Sequence, residues 1–235
     1  LLLAATVAAT LLVAALLGIV LEVLGVSLGS SGLAVGDLVS VAVQAVVFIG
    51  MVRLMVVGSG ALSWTEMGFT RDPRRIVAGL LTGAVFAVPV IVLTSLVAVV
   101  VVPLVGEAPP SPLPPTGTAV GLALHLLAGA VIGPVAEETV FRGAALSAWI
   151  RTVSPASAIT RTAVLFALAH VLQVGGQSFG QAAGLALVAF VARLPVAFAL
   201  GWLFARTRSI WASIGLHAAF NAILITLAEV SQAAV

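Results

Sequence analysis

Residues 134–143 read P-V-A-E-E-T-V-F-R-G. Two adjacent carboxylates, Glu137 and Glu138, and one guanidinium, Arg142, stand in a stretch that is otherwise fit to face lipid. The 235-residue chain has only 8 acidic residues. Ionisable groups are costly in hydrocarbon, and by default they mark function there. How this segment is read therefore fixes both the architecture and the place to look for chemistry.

The surroundings are those of a membrane protein. The chain is 62% hydrophobic and 8% charged, with a mean hydropathy of +1.28. Soluble domains carry about 25% charged residues. About 20 apolar residues are needed to cross about 30 Å of hydrocarbon. On that measure about seven spans are expected, at 1–24, 38–57, 76–103, 118–149, 160–174, 183–205 and 210–230, the fifth of them short. The alternating ten-residue segments of a membrane barrel are absent from this pattern. The expected fold class is an all-α polytopic transmembrane bundle, a single domain over 1–235. The Pro-rich stretch 107–117 and the Gly-containing stretch 175–180 read as loops. The first residue is Leu, so a trimmed N-terminus is expected, and the opening apolar run is too long for a signal-peptide core.

Composition also excludes. With no cysteine, neither disulfides nor thiol chemistry is available. With no lysine, all 10 basic residues are Arg, and the net charge is only +2. No basic run is long enough for nucleic acid. The expected partners are the lipid bilayer and a membrane-associated peptide or protein.

The arginines give orientation. Arg71, Arg74 and Arg75 fall between the second and third spans, Arg151 and Arg161 flank the fourth connection after them, and Arg206 and Arg208 lie between the last two. Arg53 sits near the same end. The intervening connections have no Arg, so all loop arginines share one side, which the positive-inside rule makes cytoplasmic. Trp64, Trp149, Trp202 and Trp211 fall on that side too, as an interfacial belt would.

The same arginines serve as depth markers. At 1.5 Å per residue, His170 lies about 14 Å in from Arg161, and His217 about 14 Å in from Arg208. Glu137 and Glu138 lie about 20 Å from Arg151, less if Pro134 bends the span. Groups from three spans can thus converge, while His125, about 20 Å further out, cannot easily join them. Glu138 and Arg142 are i,i+4 and share a face, so they can pair. Glu137 is turned about 100° away and is the freer carboxylate. Phe166 and His170, and likewise His217 and Asn221, are i,i+4 neighbours. A carboxylate with imidazoles suits water activation, directly or through a bound metal, and Asn221 could donate to an oxyanion. Neither G-x-S-x-G nor H-E-x-x-H is present. Arg193, before Pro195, lies at the depth of the glutamates. It pairs with Glu137, binds a substrate carboxylate or plays a structural part.

Three motifs occur in order on separate spans: E-E-T-V-F-R-G from Glu137, F-A-L-A-H ending at His170, and H-A-A-F-N from His217 to Asn221. Together they resemble the E-E-x-x-x-R, F-x-x-x-H and third-motif pattern of the CAAX protease and bacteriocin-processing family of intramembrane endopeptidases. The resemblance covers a core of about 118–225, and Trp64–Arg75 is more loosely similar. It implies a protease in the cell membrane, with a site opening toward the cytoplasm. By the resemblance Glu137 is the water-activating base, Glu138 pairs with Arg142, and His170, His217 and Asn221 line the site. The family is often called a metalloprotease family, which implies Zn2+ on Glu137, His170 and His217. A metal-free mechanism stays equally open. The competing readings are a structural ion-pair network, a non-catalytic scaffold or immunity protein, and a proton-coupled transporter. The small-residue pairs Gly79/Gly83, Gly129/Gly133 and Gly180/Gly184 are expected to let helices pack closely, and Pro89, Pro134 and Pro195 to kink them.

Overall fold

A computed structural model describes residues 4–6, 8–9, 12–13, 30–172 and 174–233. Among them there are helices and connecting turns and no strand. The helices are α1 (Ser30–Val52, running on as a π-helical turn Arg53–Val57), α2 (Pro73–Val105), α3 (Ala119–Ile150), α4 (Pro155–Val171), α5 (Phe179–Thr207) and α6 (Ile210–Ala233). Five of these are long and apolar enough to cross a membrane, and α4, apolar but shorter, is the expected short one. The expected first span, 1–24, falls largely outside the described residues. The protein is an all-α polytopic membrane bundle.

Local chemistry sets the helix starts. The side chains of Asp72, Thr118, Ser154 and Ser178 accept hydrogen bonds from Arg74, Gly121, Ser157 and Gln181 N–H groups. Each thereby satisfies an amide that the first turn would leave unpaired. Pro73 and Pro155 follow two of these caps, where a missing N–H costs nothing. The three expected kinks behave differently. α2 is interrupted at Phe86, three residues before Pro89. Pro134 follows a π-helical turn, Leu127–Ile132. Pro195 sits within an unbroken α5.

Packing depends on glycine where helices touch. A Cβ on Gly83 would collide with the Ala212 carbonyl, and one on Gly215 with the Leu80 carbonyl. The first half of α2, Pro73–Val85, therefore lies tightly along α6. The second half, Ala87–Val105, packs along α5 and leaves Val92, Leu96, Val99 and Leu104 exposed on its outer face. Gly184 packs against Val105, but a Cβ on Gly180 would meet nothing within 4 Å. The expected Gly180/Gly184 pair is thus a single contact, because Gly180 lies in the first turn of α5, ahead of its contact with α2.

The two ends of the bundle are finished differently. At the arginine-bearing end, loop 58–72 folds back over the helices. Phe69 stacks edge-on between Trp64 and Trp211, at 5.3 and 6.0 Å. Gly68, at φ +84, brings its carbonyl within 3.2 Å of the Ile210 N–H. At the other end, the Glu229 carboxylate accepts from the Thr116 and Thr118 N–H groups at 2.9 and 3.0 Å, holding the end of loop 106–118 on α6.

Filling the α2–α6 contact is expected to destabilise strongly. Gly83→Val should cost at least the upper part of the about 1–3 kcal/mol typical of overpacking, because the obstacle is backbone. Gly180→Ala should be neutral. Thermal unfolding of the purified protein in detergent checks both, and equal midpoints for the two variants would contradict the packing described.

Candidate active site

The site is built from the middle of α3, the end of α4 and the first half of α6. Its foundation is Glu138. This side chain has no solvent exposure, and neither has Arg142. Arg142 Nη1 donates to Glu138 Oε1 at 2.9 Å, and Nη2 donates to the Ala197 carbonyl of α5 at 3.0 Å. The guanidinium also lies 4.6 Å from the centroid of Phe166, on α4. One arginine thus joins three helices.

Glu138 has a second task. Its Oε1 lies 2.9 Å from His217 Nδ1. A carboxylate paired with Arg142 only accepts, so the proton of neutral His217 sits on Nδ1. His170 is fixed in the same sense, with Nδ1 2.8 Å from the Phe166 carbonyl, which also only accepts. Both imidazoles therefore turn an unprotonated Nε2 outward. His170 Nε2 lies 3.8 Å and His217 Nε2 3.9 Å from the same atom, Glu137 Oε2. That oxygen has no hydrogen-bond partner of its own.

Three acceptor atoms that face one another repel unless something electropositive lies among them. A water molecule satisfies this by donating its hydrogens, and a metal cation by accepting lone pairs. The donor types suit zinc, and each His holds its other nitrogen as metal-binding histidines do. Zinc bonds of 2.0–2.1 Å set donor–donor edges of about 3.3–3.4 Å in a tetrahedron. The two edges here are wider, and among the described residues no group of three His, Cys, Asp or Glu side chains is arranged to hold a metal ion.

Asn221 is also at the site, with part of its capacity in use. Its Nδ2 donates to the Gly129 carbonyl at 2.7 Å. The reason lies in the backbone of α3. In the π-helical turn, the Gly133 N–H bonds to Ala128 rather than to Gly129. The next donor in that register would be residue 134, a proline without an N–H. Gly129 is left with a free carbonyl, and Asn221 takes it. One N–H of the amide stays available to a ligand.

These groups stand in a cavity of about 720 Å³, lined among others by Glu137, His170, Arg193, His217 and Asn221. Arg193 attracts Glu137 electrostatically without reaching ion-pair distance among the contacts described. His125 is elsewhere, as its depth implied: it lies 3.0 Å from Asp37 and is almost fully buried. The cavity reaches residues 109–113 and Asp37, and Arg142 and Phe166 are buried beside its floor. The Asn221–Gly129 bond and the role of loop 106–118 carry no motif. The only trace of the first in the sequence is the G-x-x-x-G-P arrangement from Gly129 to Pro134.

The protein-family model described as type II CAAX prenyl endopeptidase Rce1-like matches residues 119–223. The match begins with α3 and ends within α6, so it contains every residue of the site. No curated protein and no solved structure matches the chain.

Removing Arg142 should be far worse than removing the pair. Arg142→Met leaves Glu138 buried without its cation, a change that costs about 3–5 kcal/mol in comparable cases. The Glu138→Gln/Arg142→Met double variant should recover part of that. Unfolding of the single and double variants measures the coupling, and simple additivity would show that the two side chains do not act together.

Proposed function

We propose that this chain, whose residues 119–223 belong to the Rce1-like family of CAAX prenyl endopeptidases, is a cell-membrane endopeptidase that hydrolyses a peptide bond with a water molecule activated by Glu137. One observation carries this reading: Glu137 Oε2 faces two unprotonated imidazole nitrogens at 3.8 and 3.9 Å on the floor of a cavity.

The step follows from the donors and acceptors. A water held among the three atoms donates one hydrogen to Glu137 and the other to an Nε2. Glu137 takes the first proton as the water oxygen attacks the peptide carbonyl, and the carbonyl electrons move to its oxygen. The free N–H of Asn221 is available to that oxyanion. His217 accepts the second hydrogen of the water at Nε2, and it can take up that proton because Glu138 balances the charge through Nδ1. When the C–N bond breaks, the proton on Glu137 passes to the leaving nitrogen. The second proton of the water, taken up by His217, follows it, so the products are a carboxylate and an ammonium ion, and no redox partner is required. Arg142 acts through Glu138, as a positioning residue.

Zinc held by Glu137, His170 and His217 would supply Lewis acidity and lower the pKa of a bound water. The wider spacing of the three atoms leads us to propose the metal-free form. Activity is accordingly expected to survive dialysis against a strong chelator. Loss on chelation, with recovery on adding Zn2+ alone, would overturn that part and keep the endopeptidase.

The activity itself is tested by comparing the N- and C-termini of membrane proteins, by mass spectrometry, in cells expressing the wild type or Glu137→Gln at equal levels. Wild type alone should generate new termini, and in a purified assay the variant should lose at least the about 10²–10⁴-fold typical of a general base. Identical termini from both, with the cellular phenotype retained by the variant, would replace the peptidase by a non-catalytic scaffold.

A further inference from the structure

Two arginines stand away from the ends of their spans, Arg142 in Ala119–Ile150 and Arg193 in Phe179–Thr207. The fold treats them in opposite ways. Arg142 is without exposure and is held by Glu138 and by the Ala197 carbonyl. Arg193 is partly exposed and lines the active-site cavity. Among the described residues it makes no hydrogen bond and no ion pair, and its one electrostatic partner is Glu137, at a distance. Its neighbours on the same wall, Ala189 and Ala192, have no polar side-chain group to offer it.

No other acidic side chain among the described residues is free to answer it. Asp37, Glu66, Asp72, Glu138 and Glu229 are each held by partners of their own. Glu107 is exposed and follows Val105, which packs on Gly184. Arg193 lies about 14 Å further along α5 than that contact. Glu137 has its Oε2 turned to the two histidines, and an ion pair with Arg193 would occupy the base that the reaction uses. A cation inside a membrane protein is costly without a counter-anion, and such cations are found paired or on ligand pathways. The missing anion of Arg193 therefore comes from a ligand in the cavity.

A guanidinium presents five donors in a planar fork, which matches the two oxygens of a carboxylate. A peptide carries that group in two places, at its C-terminal end and on Asp or Glu side chains. We propose that Arg193 is the specificity-determining residue of this cavity and pairs with a carboxylate that the substrate carries close to the bond to be cut. That the ligand is a peptide rests on the endopeptidase reading, whereas the anion site rests on the unpaired guanidinium alone. The pairing sets a distance as well as a charge. Arg193 and Glu137 line the same cavity, and an extended peptide advances only about 3.3–3.6 Å per residue. The carboxylate accordingly falls within a few residues of the attacked carbonyl.

Binding is measured on the purified Glu137→Gln variant, so that the probes stay intact. The probes are three N-acetylated pentapeptides of alternating Ala and Val: one with a free C-terminal carboxylate, one amidated, and one amidated with Glu at its centre. At least one of the two acids should bind about ten- to a hundredfold more tightly than the uncharged amide, as for a charged hydrogen bond. Arg193→Met in the same background should erase that difference, and Arg193→Lys should keep part of it. Preference for the free end or for Glu identifies which carboxylate is read. Equal binding of all three, binding of none, or a preference that survives Arg193→Met overturns the proposal. Unfolding supplies a second readout. Arg193→Met removes an unpaired charge, so its midpoint should stay level or rise, and a fall as large as that of Arg142→Met would make Arg193 structural and overturn the proposal as well. Cleavage is read separately with Glu137 restored. The binding preference without any cleavage would sink the endopeptidase and leave the anion site, and equal cleavage of all three peptides would do the reverse.

Discussion

A charge pair in hydrocarbon holds the rest in place. Glu138 and Arg142 are both without solvent exposure, and each alone would be prohibitively placed. Together they form a node with a geometry of its own. Arg142 spreads its donors between Glu138 and the Ala197 carbonyl and lays its plane near Phe166. Helices α3, α4 and α5 are thus held by one side chain, and His217 of α6 attaches through the carboxylate. Lipid gives helices little hydrophobic reason to associate. A buried ion pair, with glycine contacts such as those of Gly83 and Gly215, supplies that reason. The same node fixes the tautomer of His217, so what assembles the bundle also decides which nitrogen faces the cavity.

Much of the architecture is legible in the chain because the bilayer imposes a simple length rule. The spans expected at 118–149 and 183–205 are found as Ala119–Ile150 and Phe179–Thr207, and the segment expected to be short is the short one. The loop arginines worked as a depth scale because helices in lipid keep a constant rise. His170 and His217 accordingly both stand within 4 Å of Glu137, where separate counts along three helices had put them level. One thing escaped. The Asn221–Gly129 bond depends on a π-helical turn meeting a proline, and periodicity does not announce which carbonyl such a turn releases.

The two ends of the bundle divide the labour. The arginine-bearing end is made of aromatic contacts and a loop with many fixed partners, Trp64, Phe69 and Trp211 among them. The opposite end is made of prolines and is tied at one point, Glu229. Such an arrangement keeps water from reaching the node from one side while leaving a channel for it on the other. A hydrolytic site in a membrane needs both: dry surroundings for its charges and a supply of the reactant that the surroundings exclude.

The two π-helical stretches of α3, Leu127–Ile132 and Thr139–Leu146, flank the glutamates. A π-turn holds one more residue than the α-turn it replaces. Rewinding either stretch to the α register, by removing a single residue, would rotate everything beyond it by about 100° about the helix axis. Rewinding the first would carry Glu137, which lies beyond it, off the face it shares with the histidines. In genetic terms the face of this span that carries Glu137 is one codon away from not existing.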